Sequence, residues 1–215
     1  MLVFGMTEFG LSADRDMKMN IKEAAQFIKM YMGRFPGVRV YMDEQIAFSR
    51  THGYVTTMFN HRRPIPDINH PNKRIRQAAE NQSINTPIQG TAADIIRLAM
   101  VNIRREIPTR APYLTSTIQI HDELKYQCPV EYAIEGCKFI QEVMERPIPG
   151  FSEIMPIKAE PDLGKIWGHS LDLKFKPDGT AYVKPKATKN DPTDVTYDMI
   201  DYALPLYKLA GIQVL

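Results

Sequence analysis

Residues 115–128 read TSTIQIHDELKYQC, and their alternation of polar and apolar side chains predicts two strands joined by a tight turn. The turn carries His121, Asp122 and Glu123, although such a turn normally uses Gly, Asn or a single Asp. Two adjacent carboxylates beyond the end of a sheet suit a hard divalent cation such as Mg²⁺, which prefers oxygen ligands. An ordinary solvated turn is the alternative, because three polar residues alone are weak evidence.

The segment before this hairpin is predicted to be helical and carries an unusual row of amides. Three of them are spaced four residues apart and so share one helix face: Asn81, Asn85 and Gln89. Amides suit the DNA minor groove, where every base pair presents hydrogen-bond acceptors, and the alternative is a capped helix pair with incidental amides. Pro87 and Gly90 predict a break or kink, and the apolar run 91–103 predicts a helix that is buried almost all round.

Five stretches of the chain resemble the family A DNA polymerases, the DNA polymerase I type. They are FGMTEFGLS at 4–12, HGYVTTMFNHRRPIPD at 52–67, NQSINTPIQGTAADIIRLAM at 81–100, QIHDEL at 119–124 and LGKIW at 163–167. The resemblance covers residues 1–170. It implies an α+β fold, the C-terminal half of a right-hand polymerase, with a helical fingers portion and a ferredoxin-like antiparallel palm sheet covered by helices.

The same resemblance implies a reaction and assigns residues to it. Family A polymerases add deoxynucleotides to a primer by a two-metal displacement, so two Mg²⁺ ions are the expected cofactors. Asp122 is assigned as the metal ligand and catalytic carboxylate, with Glu123 as a helper near the primer end. His121, Gln89 and Asn85 are assigned as contacts to the minor groove and primer terminus, and Asn81 joins them as part of the same amide stripe.

Residues 54–68 contain two prolines and alternate weakly, which predicts a twisted hairpin at a sheet edge. We interpret Arg62 and Arg63 as contacts to the phosphates or base edges of DNA, because Arg offers bidentate geometry, while a solvated Arg pair is the alternative. Residues 61–76 hold five basic side chains and one acidic one, whereas the whole chain has a net charge of only +2. The positive charge is therefore local.

The N-terminal stretch resembles the end of the family's fingers helix, which carries a Lys and, eight residues later, a Tyr-Gly pair. Phe9 and Gly10 stand at the Tyr-Gly position, which makes Phe9 the expected nucleotide-binding residue, although Phe4 and Gly5 leave the register open. The fingers Lys is absent or supplied from upstream. The alternative interpretation is that Phe4 and Phe9 are core aromatics.

The rest of the chain gives a coarser picture. Helices are predicted over 20–35, from Pro36 to about Gly53, and over 130–146, with a short edge strand at 155–160. Residues 171–215 have no recognised counterpart in the family. They contain a hairpin signal at Asp178 and Gly179, a polar linker at 186–193 and a short helix at 198–209. The predicted division is partial fingers at 1–51, palm at 52–170 and an extension at 171–215.

Composition excludes several other classes of protein. The 215 residues are 44% hydrophobic, enough for one ordinary core or two small ones. Cys128 and Cys137 are too few for a disulfide framework and wrongly spaced for zinc. No apolar run approaches the roughly 20 residues of a membrane span, and no secretory signal is present, so we expect a cytoplasmic protein without a membrane partner, in the host cytoplasm if it is viral.

The resemblance is also incomplete. The family's other metal carboxylate belongs to a motif resembling DYSQIELR, and neither that motif nor a thumb is present. The most economical hypothesis is the C-terminal subunit of a split polymerase, as could arise in a bacteriophage. Its partners would be primer-template DNA, dNTP and an N-terminal polymerase subunit carrying the missing palm motif and thumb. A non-catalytic DNA-binding or replisome-scaffolding subunit, or a fragment of a longer chain, are the alternatives.

Overall fold

The computed structural model describes residues 7–14, 17–152, 155–166, 169–183 and 209–214. The chain forms two compact units, Met1–Ile95 and Ile96–Leu215. Unit 1 is mainly helical, and unit 2 combines helices with small, mostly antiparallel sheets. The α+β class predicted from the sequence is confirmed. The functional division at residues 51 and 170 stays a prediction.

Unit 1 begins with three helices: α1 (Glu8–Ser12), α2 (Ile21–Arg34) and α3 (Pro36–His52). The predicted capping box of α2 is present. Asn20 Oδ1 accepts from Glu23 N at 3.0 Å, and Glu23 Oε2 accepts from Asn20 N at 2.9 Å. Helix α3 starts at its first-turn proline and ends at Gly53, whose φ of 76° is accessible to glycine without strain.

Two short antiparallel strands follow, β1 (Tyr54–Thr56) and β2 (Arg62–Pro64), and then a 3₁₀ turn, Pro66–Asn69. The predicted hairpin is therefore present, but among the described residues it forms a two-stranded sheet of its own and is not the edge of a larger one. It has a small core of nearly fully buried side chains: Val55, Ile65, Ile68 and Ala79. That core fixes the hairpin against the next helix.

The prediction at Pro87 and Gly90 was a break or a kink. Helix α4 (Lys73–Arg110) is continuous, so the break is wrong, and the kink stays a prediction. The helix is held on both sides of the proline, since Tyr41 Oη donates to Ile84 O at 2.8 Å and Thr91 Oγ1 donates to Pro87 O at 2.5 Å. A Cβ on Gly90 would lie 2.6 Å from Thr57 Cγ2. The glycine therefore permits close packing and does not end the helix.

The apolar run 91–103 is buried on one face only, which corrects the prediction of a helix buried all round. Its buried members recur at helical spacing: Thr91, Asp94, Ile96, Ala99 and Ile103. Leu98 and Val101, by contrast, are 38% and 45% exposed. Apolar composition alone did not reveal that the described residues cover only one side of this segment.

Unit 2 contains the predicted hairpin, formed by β3 (Thr115–Ile120) and β4 (Glu123–Gln127) with a β-bulge between Ser116 and Ile118. A 3₁₀ turn, Val130–Tyr132, leads into α5 (Ala133–Met144), close to the predicted helix. The core of this region consists of five buried residues: Ile103, Ala111, Leu114, Phe139 and Val143. The hairpin packs against this core through the partly buried Leu124 and Tyr126.

The remaining strands form a separate four-stranded sheet of order β5-β6-β7-β8. Its strands are β5 (Asp162–Ile166), β6 (His169–Phe175), β7 (Ala181–Val183) and β8 (Gln213–Val214), and β8 runs parallel to β7. The predicted turn at Asp178 and Gly179 joins β6 to β7. Nearly all of the helix predicted at 198–209, and the whole of the linker at 186–193, lie outside the described residues.

The strand predicted at residues 155–160 is wrong. These residues contain no strand, and pairing begins at Asp162. Pro156 and Pro161 lack the backbone donor that a sheet needs. Instead, Ala159 bonds to α5 on both sides, accepting from Gln141 Nε2 and donating to Glu145 Oε1, each at 2.9 Å. The segment is therefore held by side chains of a helix.

A network of four charged side chains ties the C-terminal end of α4 to α5. Arg110 Nη2 lies 2.6 Å from Glu142 Oε2, and Arg146 Nη2 lies 2.8 Å from Glu106 Oε2. Hydrogen bonds from Arg146 and then Arg110 lower the pKa of Glu106 to about 2, and bonds from Arg110 and then Arg146 do the same for Glu142. None of the described helices is long and apolar enough to cross a membrane.

Candidate functional site

The tip of the β3-β4 hairpin presents three polar side chains to solvent. Ile120 pairs with Glu123, so His121 and Asp122 form the two-residue turn. His121 has a φ of 52°, an unusual value for a residue with a side chain, and Gln119 Nε2 donates to its carbonyl at 2.6 Å. His121, Asp122 and Glu123 are all exposed. The structure thus brings these three predicted site residues together at one sheet end.

Glu123 forms an ion pair within the hairpin, and the exposed Asp122 precedes it in the turn. Lys125 Nζ contacts Glu123 Oε1 closely and lies 3.6 Å from Asp162 Oδ2. Burial works to lower the pKa of Lys125, but the two carboxylates outweigh it and the pKa is raised. Among the described residues, no group of three or more His, Cys, Asp or Glu could hold a metal ion. The tip therefore offers carboxylate oxygens that suit Mg²⁺, but the ligand set is incomplete.

An open groove of about 560 Å³ runs beside β4. Its lining includes every residue at 122–128 and every residue at 158–164, together with Thr117 and Ile118 of β3. Successive residues of a strand point to opposite faces, so a lining of consecutive residues means that the strand edge borders the groove. The floor is a stripe of α5: Ala133, Gly136, Cys137, Ile140, Gln141 and Met144. Strands β4 and β5 belong to different sheets, and among the described residues no backbone hydrogen bond joins 122–128 to 158–164.

The amide stripe lies in unit 1, on the N-terminal half of α4. Asn81 and Asn85 are half-buried and Gln89 is exposed, while the neighbouring Ser83 is buried on another face. Ser83 Oγ lies 2.8 Å from Ser49 Oγ of α3. The hydroxyl contacts thus face the core of unit 1, and the amides occupy the adjoining, more accessible side of the helix.

Arg62 and Arg63 are exposed on β2. The guanidinium of Arg62 stacks 4.9 Å from the ring centroid of Tyr54, which orients it without neutralising it. In the part of the chain that the structure describes, no carboxylate forms an ion pair with either arginine. Their positive charge is therefore available to an anionic ligand.

Phe9 lies on the one-and-a-half-turn helix α1 and is 63% exposed. Thr7 Oγ1 caps this helix by accepting from Gly10 N at 3.3 Å. Phe4 and Gly5, which leave the register of the fingers motif open, are outside the described residues. The exposure of Phe9 does not fit the alternative of a core aromatic.

One feature near Arg62 was missed at the sequence level: His61 Nδ1 lies 2.8 Å from Oδ1 of Asp94 on α4. Asp94 is the only acidic residue in the apolar run 91–103, and a buried carboxylate normally has a polar partner. That signal could have identified Asp94. It could not have identified His61, which lies 33 residues away.

Comparisons with known proteins agree with these motifs. The sequence model of DNA polymerase family A matches residues 1–169. DNA polymerase I of Geobacillus stearothermophilus is 37% identical over 166 residues, which are 77% of this chain and 18% of that polymerase. DNA polymerase I of Bacillus subtilis is 36% identical over the same shares. A solved POL domain of Pol1 from M. smegmatis, in complex with DNA primer-template and dNTP, matches with a TM-score of 0.62 and 33% identity.

The fold and the motifs therefore define a polymerase portion of the α+β class. The chain belongs to DNA polymerase family A. It spans about a fifth of the length of the curated relatives that it matches, and the structural match covers 68% of this chain and 26% of the POL domain chain. Activity, substrates and partners of a whole polymerase are accordingly matters of proposal for this chain.

Proposed function

We propose that this chain is the C-terminal part of a DNA-directed DNA polymerase and extends primers only together with a second polypeptide. The observation that carries the proposal is the placement of Asp122, exposed at the tip of a hairpin whose outer strand borders an open groove. Membership of family A supplies the reaction class. Within the described part of the chain no three His, Cys, Asp or Glu residues are grouped to hold a metal ion, which favours a second source of carboxylates.

Asp122 and a carboxylate of the partner would hold two Mg²⁺ ions, which, when bound, would lower the pKa of the primer 3′-hydroxyl and neutralise negative charge on the oxygens of the transferred phosphoryl group. Asp122 contributes one carboxylate to them, since its side chain is exposed and hard oxygen ligands suit this ion. Glu123 acts nearby as a helper at the primer end, with its charge partly offset by Lys125. The remaining carboxylate comes from the partner.

The DNA contacts are divided between the two units. In unit 2, His121 contacts the primer terminus. In unit 1, the amide stripe (Asn81, Asn85 and Gln89) donates to the acceptors that every correct base pair presents in the minor groove. Arg62 and Arg63 bind the backbone or base edges of the primer-template, and Phe9 stacks on the incoming dNTP. Exposure of both arginines and of Phe9 supports these roles.

The partner is an N-terminal polymerase subunit that carries the first catalytic Asp, the fingers Lys and the thumb. We propose that one of its strands enters the groove and pairs with the open edge of β4. Unpaired edges readily accept another strand, and the apolar side chains of Leu98, Val101 and Ile118 remain exposed on the same unit. A split polymerase of this kind, as in a bacteriophage, would act in the cytoplasm of its host.

The test is primer extension with Mg²⁺, measured beside the molar mass by light scattering. The purified chain alone should be inactive and should associate with itself or other chains. Extension should appear on mixing with Geobacillus stearothermophilus DNA polymerase I from which the segment similar to this chain has been deleted. The matched control is that deleted segment added back to the same remainder, which shows whether a family A enzyme divided here can reassemble.

Two outcomes would contradict the proposal. A stable monomer that extends primers unaided would refute the need for a partner. Binding of primer-template without extension, in a mixture where the control pair is active, would favour the alternative of a non-catalytic DNA-binding or replisome-scaffolding subunit.

A further inference from the structure

The turn between β1 and β2 holds a histidine in a fixed orientation. The side chain of His61 is 67% exposed, whereas that of Asp94, its partner at 2.8 Å, is 3% exposed. A carboxylate oxygen can only accept, so Nδ1 of the imidazole donates to it. The other ring nitrogen, Nε2, lies on the opposite side of the ring. His61 thus has one nitrogen committed to a buried anion and one available to a ligand.

The backbone around His61 is equally well fixed. Thr57 Oγ1 accepts from Phe59 N and His61 N, each at 3.2 Å, and Thr57 N donates to His61 O at 3.0 Å. Thr91 of α4 accepts from Met58 N at 3.0 Å, so the turn is also bonded to the helix that carries Asp94. The two threonines are buried. The imidazole is therefore preorganised, which reduces the entropy lost when a ligand binds.

The surroundings of the ring favour an anionic ligand. Arg62 and Arg63 follow directly in the chain, and the cross-strand pairs Val55-Arg63 and Thr57-His61 place His61 and Arg63 on the same face of the hairpin. No carboxylate of the described residues pairs with either arginine. His61, which contacts the buried carboxylate of Asp94, and Arg63 thus place two side chains able to carry positive charge on one face of the hairpin.

We propose that Nε2 of His61 binds a non-bridging phosphate oxygen of the DNA backbone, with Asp94 as the positioning residue. The proposal rests on the proposed function, because DNA is the ligand. A phosphate oxygen only accepts, so the contact requires the doubly protonated ring, and the carboxylate of Asp94 offsets its charge from the buried side. The competing explanation is structural: Asp94 needs a partner, and His61 is no more than that partner.

Salt dependence of DNA binding separates these explanations. The equilibrium binding of a fluorescent primer-template to the full chain is measured by anisotropy across a range of NaCl concentrations. Removing one phosphate contact reduces the slope of log K against log salt by about 0.9. His61→Gln, which retains a donor for Asp94 but no charge, should show this reduction. His61→Arg should retain the slope, and Asp94→Asn should reduce it. Arg39→Gln is the control, since Arg39 already pairs with Asp43.

Thermal unfolding of the same samples shows whether a variant has lost structure. A wild-type slope in His61→Gln, with or without a lower melting temperature, would overturn the inference and leave the pair a structural one. If the wild-type chain binds no primer-template at any salt concentration, alone or mixed with the remainder of the Geobacillus polymerase, the proposed function fails as well. The two failures are therefore distinguishable.

Discussion

The two hairpins of this chain are built alike and completed differently. In the β1-β2 hairpin of unit 1, Val55 is fully buried, and the turn is bonded to α4 through Thr91 and Asp94. In the β3-β4 hairpin of unit 2, five of the six residues of β3 are exposed, and the outer edge of β4 borders a groove. The first hairpin is thus anchored by a buried core and by bonds from its turn to α4, whereas the second exposes most of β3 and borders a groove.

This contrast indicates where stability and chemistry are located. A hairpin with a buried core and a hydrogen-bonded turn can hold its side chains rigidly. Such a hairpin suits binding of the DNA backbone, whose phosphates repeat along its length. A hairpin with an open edge and an exposed carboxylate is poorly stabilised by its own unit and gains from a partner. Substitutions in the buried core of the first hairpin should therefore change folding, and substitutions at the tip of the second should change catalysis.

The largest effect is expected at the open hairpin. Asp122→Ala should lower primer extension by the reconstituted enzyme at least about 100-fold, because loss of one ligand of a two-metal site removes several kcal/mol of transition-state stabilisation. The melting temperature and primer-template affinity should change little, since Asp122 is exposed at a turn. Asp43→Asn, a surface carboxylate paired with Arg39, is the control. Near-normal turnover of the Asp122 variant would remove Asp122 from the metal site.

At the β1-β2 hairpin we expect a change in stability. Gly90→Ala places a Cβ 2.6 Å from Thr57 Cγ2, and the overpacking should lower the free energy of unfolding by about 1 to 3 kcal/mol. Thr57→Ser removes that methyl group, so the double variant should recover part of the loss in urea unfolding. Gly33→Ala is the control: its Cβ meets nothing within 4 Å, and it lies inside α2. Equal effects at the two glycines would contradict the packing explanation.

The sequence predicted local elements well where a residue has a specific backbone role. The capping box of α2, the proline start of α3, the tight turn at Asp122 and the turn at Gly179 are all present. Each depends on interactions within a few residues of the chain, which a sequence pattern records directly.

Errors arose where distant contacts decide the outcome. Pro87 and Gly90 were interpreted together as a break or kink, but Gly90 lies within a continuous helix and packs against Thr57, a residue 33 positions earlier. The Asp94-His61 pair was missed for the same reason, because periodicity contains no information on which loop meets a helix. The family resemblance located the site residues at the hairpin tip and on α4. Their roles in binding and catalysis remain predictions.

A smaller effect is expected from the groups that contact the DNA minor groove. Gln89→Ala and His121→Ala should each weaken extension and reduce discrimination against a mismatched primer end by about 1 to 3 kcal/mol, the cost of a buried hydrogen bond left unmade. Gln82→Ala is a matched control, since Gln82 is exposed on α4 but outside the row of four-residue spacing. Unchanged ratios of matched to mismatched extension in both variants would count against minor-groove sensing.

The smallest expected effect concerns pH and the ion network between α4 and α5. The folded-state pKa values of Glu106 and Glu142, about 2, lie below the ordinary value for an unfolded chain, so the network stabilises the fold above that ordinary value. This stabilisation is lost as the pH falls through the folded values. The combined variant Glu106→Gln, Glu142→Gln should therefore unfold at lower urea than the wild type at pH 7, with the difference shrinking between about pH 5 and 2.

Repeating the urea unfolding in 1 M NaCl separates the contribution of charge to this stabilisation from that of packing. Both carboxylates are partly exposed, so water and salt screen them, and the shift at pH 7 should be smaller than that of Gly90→Ala and decrease in 1 M NaCl. Arg110 also lies 4.9 Å from the ring centroid of Phe139, a contact that depends little on the carboxylates. A difference between wild type and variant that is constant with pH and salt would therefore assign the network's contribution to packing of the arginines and not to charge.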